Sequence, residues 1–175
     1  MMEIITDQNV LHQKSKRLTK QEITSSDVQR LIDEMFAVSE ANQYSAGLSA
    51  VQLGKPLAIS IITIKPRPNQ PDMKAENKVC INTEIIDARG DKIPMWEGCS
   101  SILGDDGMPI YAQIPRFKTV RVKYLDREAK LHEETLRGFV GHVIQHETDH
   151  LNGIIISDLV DAKDFISNDE YRKMR

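Results

Sequence analysis

The clearest hydrophobic pattern in the chain is helical and covers residues 27–43. Apolar residues recur there at spacings of three and four, which places them on one face of a helix. Ser26 is suited to cap the start of that helix. The apolar positions are Val28, Leu31, Ile32, Met35, Phe36 and Val38. A second, more apolar helix is predicted over 136–152, with Gly153 as its C-cap.

Between the two helices the pattern changes to short strands and turns. β-branched runs and the alternation at Val120, Val122 and Tyr124 are typical of strands. The predicted strands cover 57–64, 79–87, 110–125, 130–135 and 154–156. Gly- and Asp-rich positions predict turns at 90–91, 104–107 and 126–128, and a Pro-rich polar loop is predicted at 65–78.

This order of elements predicts an α+β fold. We expect an N-terminal helix, and short antiparallel strands and sheets that wrap around the apolar C-terminal helix. The 175 residues fit one domain over 1–175, in which 158–175 form a charged C-terminal tail. At this length a chain can bury roughly 70% of its unfolded surface, which is enough for a core without disulfides.

Composition narrows the class of protein. Apolar residues make up 40% of the chain, charged residues 28%, and the net charge is −3, so no basic surface for nucleic acid is predicted. No apolar run approaches the ~18 residues of a membrane span. The first residues lack the basic start and the apolar stretch of a signal peptide, so we expect a cytoplasmic protein.

The most informative residues lie in the second helix. His146 and His150 are four apart, which puts both imidazoles on one helical face, and Glu147 directly follows the first of them. Two such histidines can grip one metal ion while the glutamate reaches a metal-bound water. The spacing therefore predicts metal-assisted hydrolysis.

A third protein ligand is needed, and no histidine follows His150. Upstream, Cys99 offers a thiolate beside Gly98, where the backbone can approach closely. If Cys99 binds metal, Cys80 has no disulfide partner, which favours a reducing compartment. Carboxylates in the tail remain alternative ligands: Asp158, Asp161, Asp164, Asp169 and Glu170.

Three segments resemble the signature segments of the peptide deformylase family, in the same order along the chain. They are Gly47-Leu48-Ser49-Ala50-Val51-Gln52, Glu97-Gly98-Cys99-Ser100-Ser101 and Gln145-His146-Glu147-Thr148-Asp149-His150-Leu151. The family patterns are Gly-x-Gly-φ-Ala-Ala-x-Gln, Glu-Gly-Cys-Leu-Ser and Gln-His-Glu-x-Asp-His-Leu. The resemblance runs from about residue 4 to residue 158.

The resemblance implies a reaction and a metal. Cys99, His146 and His150 match the family's metal ligands, and Glu147 matches its catalytic glutamate. One divalent ion is implied, with Fe²⁺ favoured by the family and Zn²⁺, Ni²⁺ or Co²⁺ as alternatives. The implied reaction is hydrolysis of the N-formyl group of formylmethionine on newly made polypeptides, with release of formate.

Other family roles carry over to single positions. Gln52 matches the amide that helps to stabilise the developing oxyanion, and the backbone N–H of Ser100 matches the second donor. Arg116 resembles the arginine that pairs with the motif glutamate, here Glu97. Asp149 is either a residue that orients these groups or an ordinary helix-surface charge.

The substrate is expected to be a nascent formyl-peptide that lies as an added strand along Ala46 and Gly47 and near Gly98. His142 lies one turn before His146, where it either lines the substrate pocket or serves no function. A transient contact of the basic end 172–175 with the ribosome is a further expectation.

Three serines depart from the family pattern. Ser45 stands where the first Gly is usual, Ser49 where an Ala is usual, and Ser100 where bacterial enzymes have Leu. They leave open a degenerate member that binds metal or formyl-peptide with little turnover. A metallopeptidase with a different substrate is a separate alternative, because the His146-Glu147-Thr148-Asp149-His150 turn alone does not exclude it.

Overall fold

The structure is a computed structural model that describes residues 2–42, 45–66 and 75–174. Two single-turn helices, α1 (Gln8–Leu11) and α2 (Lys20–Ile23), precede the longer helix α3 (Ser26–Ala41). The strands are β1 (Gly47–Ser49), β2 (Ile59–Ile64), β3 (Glu76–Leu103), β4 (Pro109–Leu125) and β5 (Leu131–Arg137). Helices α4 (Gly138–Leu151) and α5 (Asn168–Lys173) follow. Short 3₁₀ helices cover Ala50–Leu53, Ile156–Asp158 and Ala162–Asp164.

The five strands form one antiparallel sheet in the order β1-β2-β3-β4-β5. Helix α4 packs against all five strands. The predicted α+β class, with antiparallel strands around the C-terminal helix, is confirmed. Among the described residues, no helix combines the length and the apolar character needed to cross a membrane.

Helix α3 packs its apolar face on the β1–β2 end of the sheet. Leu31, Ile32 and Met35 are buried there against Leu48 and Ile59. The predicted cap was one residue late, because Ser25 accepts the N–H of Val28 and the helix begins at Ser26. The predicted end of the helix at residue 43 lies outside the described residues.

The turn predicted at 90–91 was wrong. Strand β3 runs through it, because Gly90 adopts φ +81° inside a bulge between Arg89 and Lys92, and β4 pairs on both sides of the bulge. Asn82 similarly adopts φ +56° within β3, and its side chain bonds both backbone groups of Leu18. The turns at 104–107 and 126–128 are present.

Two further element boundaries differ from the predicted ones because of strand pairing. Strand β3 begins at Glu76 because it pairs with β2 from Ile64, so 65–75 of the predicted loop remains outside the strands. Of that stretch, 67–74 lies outside the described residues. Strand β5 extends to Arg137 through its register with Thr119, which delays the start of α4.

The strand predicted over 154–156 was wrong. Ile155 and Ile156 are buried, but they enter a 3₁₀ turn in which the Ile155 N–H is bonded by Asp158. They pack with Leu11, Ile114 and Cys99 in a small apolar cluster. This cluster therefore packs around Cys99 in β3.

Candidate metal centre and substrate cleft

Cys99, His146 and His150 come together at the base of a cleft. Cys99 is on β3, and the histidines are one turn apart on α4. One ligand atom from each lies within 4.8 Å of the others, and Cys99 Sγ is 3.4 Å from His150 Nε2. Donors bonded at about 2.0–2.3 Å to one tetrahedral ion lie roughly 3.5 Å apart, so this group fits a single divalent ion. Burial lowers the pKa of His150, which keeps its imidazole neutral as a metal ligand requires.

The carboxylate of Glu97 organises the groups behind the histidines. It accepts a hydrogen bond of 2.7 Å from His146 Nδ1, which leaves Nε2 of that ring for the ligand group. Arg116 donates to both Glu97 oxygens, at 2.7 and 3.1 Å, and also pairs with Asp149. Burial alone would raise the pKa of Glu97, but His142, His146 and Arg116 hold it well below its ordinary range.

Glu147 is 2% exposed and points into the same cleft. Ser49 Oγ donates a 2.6 Å hydrogen bond to Glu147 Oε2. The other oxygen, Oε1, lies against Gly47, where a Cβ atom would come within 2.5 Å of it. Burial raises the pKa of Glu147, although His146 and the Ser49 hydrogen bond oppose the rise. A carboxylate of this kind can accept and return a proton.

Gln52 is oriented from both ends of its amide. Its Oε1 accepts the backbone N–H of Ser49 at 2.9 Å, which turns Nε2 towards Cys99 Sγ at 3.5 Å and Ser101 Oγ at 3.2 Å. The side chain is 3% exposed. An amide donor is therefore held beside Cys99, one of the three residues that could bind a metal ion.

The cleft has a volume of about 810 Å³. Its walls include Ala46, Gly47 and Gly98, along which the substrate was expected to lie. His142 also lines it, and His142 Nε2 lies 2.5 Å from Glu97 Oε1. Phe139 and Val143 on the same face of α4 supply apolar surface.

The family question is settled by a match over most of the chain. The polypeptide deformylase family model matches residues 1–165. The chain belongs to the polypeptide deformylase family. Membership confirms the resemblance of the three motifs and the predicted enzyme class, a hydrolase that removes the formyl group from newly made peptides.

Individual deformylases are similar over most of their length. Peptide deformylase 2 of Nostoc sp. is 30% identical over 92% of this chain and 88% of the relative. The Mesorhizobium japonicum peptide deformylase is 35% identical over 89% of this chain and 81% of its own length. A class I type b deformylase from Acinetobacter baumannii, solved with Met-Ala-Ser bound, has a TM-score of 0.82 at 26% identity. The match covers 91% of this chain and 98% of that one. A Synechococcus elongatus deformylase solved with actinonin gives 0.78 at 28% identity, over 93% and 80% of the two chains.

Each serine that departs from the deformylase pattern makes its own hydrogen bond. Ser45 Oγ donates to the Gly47 carbonyl at 2.8 Å, and Ser49 Oγ donates to Glu147. Ser100 Oγ accepts from Asn42 Nδ2 at 2.9 Å, which ties β3 beside Cys99 to the end of α3. All three serines are thus hydrogen-bonded within or beside the cleft in which Cys99, His146 and His150 converge.

Two parts of the site were missed from the sequence. The link from Ser49 to Glu147 joins residues 98 apart, and no local pattern marks it. The C-terminal residues Asn168, Tyr171 and Arg172 also line the cleft. The only available signal was the capping pair Ser167 and Glu170, which indicates a helix and says nothing of where it packs.

Proposed function

We propose that Cys99, His146 and His150 hold one divalent metal ion and that Glu147 moves the proton in hydrolysis of the N-formyl amide. One observation carries the proposal: two imidazoles and the Cys99 sulfur converge within 4.8 Å at the base of a cleft, beside a buried carboxyl group. An ion held there would act as a Lewis acid on water and on the formyl carbonyl. Fe²⁺ is the proposed ion, with Zn²⁺, Ni²⁺ and Co²⁺ as the alternatives to be tested.

Glu147 is the group proposed to accept the proton of the attacking water and to return it to the departing amine. The two oxygens of its carboxyl group have different surroundings. Oε2 is tied to Ser49, whereas Oε1 faces Gly47 in the cleft. One oxygen therefore keeps the carboxylate in place while the other exchanges the proton.

Two donors are proposed for the negative charge that develops on the formyl oxygen. These are the Gln52 amide, which Ser49 orients, and the backbone N–H of Ser100. The loss of one such donor typically costs about 3 kcal/mol of transition-state stabilisation. Glu97, Arg116 and Asp149 support the site by fixing the ring of His146.

The substrate is proposed to bind along β1 as an additional strand. β1 is the terminal strand of the sheet, so the edge away from β2 can pair with an extended peptide. Ala46 and Gly47 lie at this edge, and Gly98 lies in the same cleft. His142, Phe139 and Val143 are positioned to surround the methionine side chain. The Acinetobacter baumannii relative bound to Met-Ala-Ser supports a peptide in this cleft.

The test is formate release from formyl-Met-Ala-Ser by protein purified and loaded with Fe²⁺ under anaerobic conditions. We expect rapid release that Glu147→Gln reduces at least ~10³-fold and that the exposed control Glu128→Gln leaves unchanged. Parallel loading with Zn²⁺, Ni²⁺ and Co²⁺ tests the choice of ion. Full activity of Glu147→Gln would refute the assigned role.

The same assay separates the alternative functions. Cleavage of unformylated Met-Ala-Ser would indicate a peptidase. Tight binding of the formyl-peptide without formate would indicate a degenerate member. Both thiols are free and buried in the structure, which supports the proposal of a reducing, cytoplasmic location. The ribosome contact at 172–175 stays a prediction, and Arg175 lies outside the described residues.

A further inference from the structure

The C-terminal segment returns to the sheet and is held there firmly. Ile166 forms a short antiparallel bridge with Tyr111, with backbone hydrogen bonds of 2.8 and 2.9 Å. Ser167 and Glu170 then cap α5 reciprocally. The family match stops at residue 165, so this helix lies beyond the part of the chain that defines the family.

Helix α5 adds a ring to an aromatic cluster in the wall of the cleft, formed by Trp96, Tyr111 and Tyr171. Tyr171 stacks on Tyr111 with ring centroids 4.0 Å apart and planes 13° apart, and Trp96 lies 5.9 Å from Tyr171. The Tyr111 ring sits directly on Gly98, where a Cβ atom would approach it to 2.5 Å. The cluster therefore begins one residue away from Cys99.

Asn168 provides a second, independent observation. Its side chain is 3% exposed and lines the cleft, and within the described part of the chain its Oδ1 has no hydrogen-bond partner. A buried carbonyl oxygen without a donor is unfavourable unless a bound molecule supplies one. The N–H of a peptide is a donor of the right kind.

We infer that the aromatic cluster and Asn168 form a binding subsite for the peptide residue that follows formylmethionine. The inference rests on the proposed function, because it requires a formyl-peptide in the cleft. An extended peptide advances about 3.3 Å per residue, so the next residue lies within reach of a cluster that starts beside Cys99. The rings pack against a large apolar side chain, and Asn168 Oδ1 accepts a backbone N–H.

The test compares formyl-Met amide, formyl-Met-Ala-Ser and formyl-Met-Phe-Ser with the metal-loaded enzyme. For each variant, kcat/KM of a tripeptide is divided by kcat/KM of formyl-Met amide. Tyr171→Ala should lower this ratio about fivefold for the Phe peptide and less for the Ala peptide. Asn168→Ala should lower it about fivefold for both, because a backbone contact does not depend on the side chain.

The matched control is Lys173→Ala, an exposed residue of the same helix that does not line the cleft. This variant should leave both ratios as they are. Trp96→Leu tests the cluster from β3 without touching α5, and should lower the Phe ratio as Tyr171→Ala does. If the kcat/KM ratio fell only in the α5 variants, and the same variants also had a lower melting temperature, the inference would be overturned.

Binding is measured separately by fluorescence. Trp96 is the sole tryptophan of the chain, and it lies in the cleft wall. Titration with the product Met-Phe-Ser should change its emission, with an affinity that Tyr171→Ala weakens about fivefold. Unchanged ratios and unchanged peptide affinity in both Tyr171→Ala and Asn168→Ala would overturn the subsite. If the unsubstituted protein hydrolysed none of the three substrates, the proposed function would fail, and the titration would still decide the subsite.

Discussion

Ser49→Ala removes one hydroxyl group and is the sharpest test of how the site is organised. The Ser49 side chain is fully buried and donates at 2.6 Å to Glu147 Oε2, and its backbone N–H holds Gln52. The substitution takes away only the hydrogen bond to the carboxylate, because the backbone contact to Gln52 remains. Alanine is also the usual family residue here, so the change introduces no steric conflict.

The expected fall in kcat follows from the kind of hydrogen bond that Ser49→Ala removes. A hydrogen bond to a charged group contributes about 1.5–3 kcal/mol, and every 1.4 kcal/mol in the barrier is about tenfold in rate. A water molecule that enters the vacated space can replace part of the interaction. We therefore expect kcat to fall about tenfold, with KM changed less than about twofold, since Ser49 does not line the cleft surface.

The assay is formate release at saturating and limiting formyl-Met-Ala-Ser. Ser60→Ala is the matched control. Ser60 is equally buried, its hydroxyl donates to the Cys80 carbonyl on the neighbouring strand, and it lies outside the cleft lining. If Ser49→Ala kept the kcat of the unsubstituted enzyme, Ser49 would be shown to fill space without positioning Glu147.

Three further predictions concern packing, a buried ion pair and pH. In Gly47→Ala the new Cβ would lie 2.5 Å from Glu147 Oε1, so kcat should fall at least tenfold and stability by about 1–3 kcal/mol, measured by formate release and urea unfolding. Arg116→Met leaves the Glu97 carboxylate buried without its cation. Stability should fall by about 3–5 kcal/mol in urea unfolding, against less than about 1 kcal/mol for the exposed control Arg89→Met. The hydrogen bond that His12 Nε2 donates to the Asp158 carboxylate raises the pKa of His12 above 6.5, so this pair stabilises the fold fully below that pH and progressively less as the pH rises through the raised pKa. His12→Gln should accordingly lower the melting temperature near about pH 5.5 and leave it unchanged near about pH 8.5; an equal loss at both would contradict the assignment.

Features that depend on neighbours along the chain were predicted well from the sequence. The helical spacing of His146 and His150 is local, and both do face the same point. The apolar stripe of α3 and the alternation at Val120, Val122 and Tyr124 likewise predicted buried faces that the structure contains. In each case the periodicity of a single element is enough, because it decides which side chains share a face.

Features that depend on contacts between distant segments were decided only by the tertiary structure. Gly90 reads as a turn, yet pairing with β4 on both sides carries the strand through it. Cys99 contacts His150 although 51 residues separate them along the chain. No local pattern predicts this contact; the resemblance of the motifs to the family predicted it. The bond from Ser49 to Glu147 and the packing of Tyr171 on Tyr111 have no counterpart in any local pattern. They exist because the sheet wraps α4 and brings β1, β3 and α5 to one cleft, and a sequence pattern records which side chains face inward but not which of them meet.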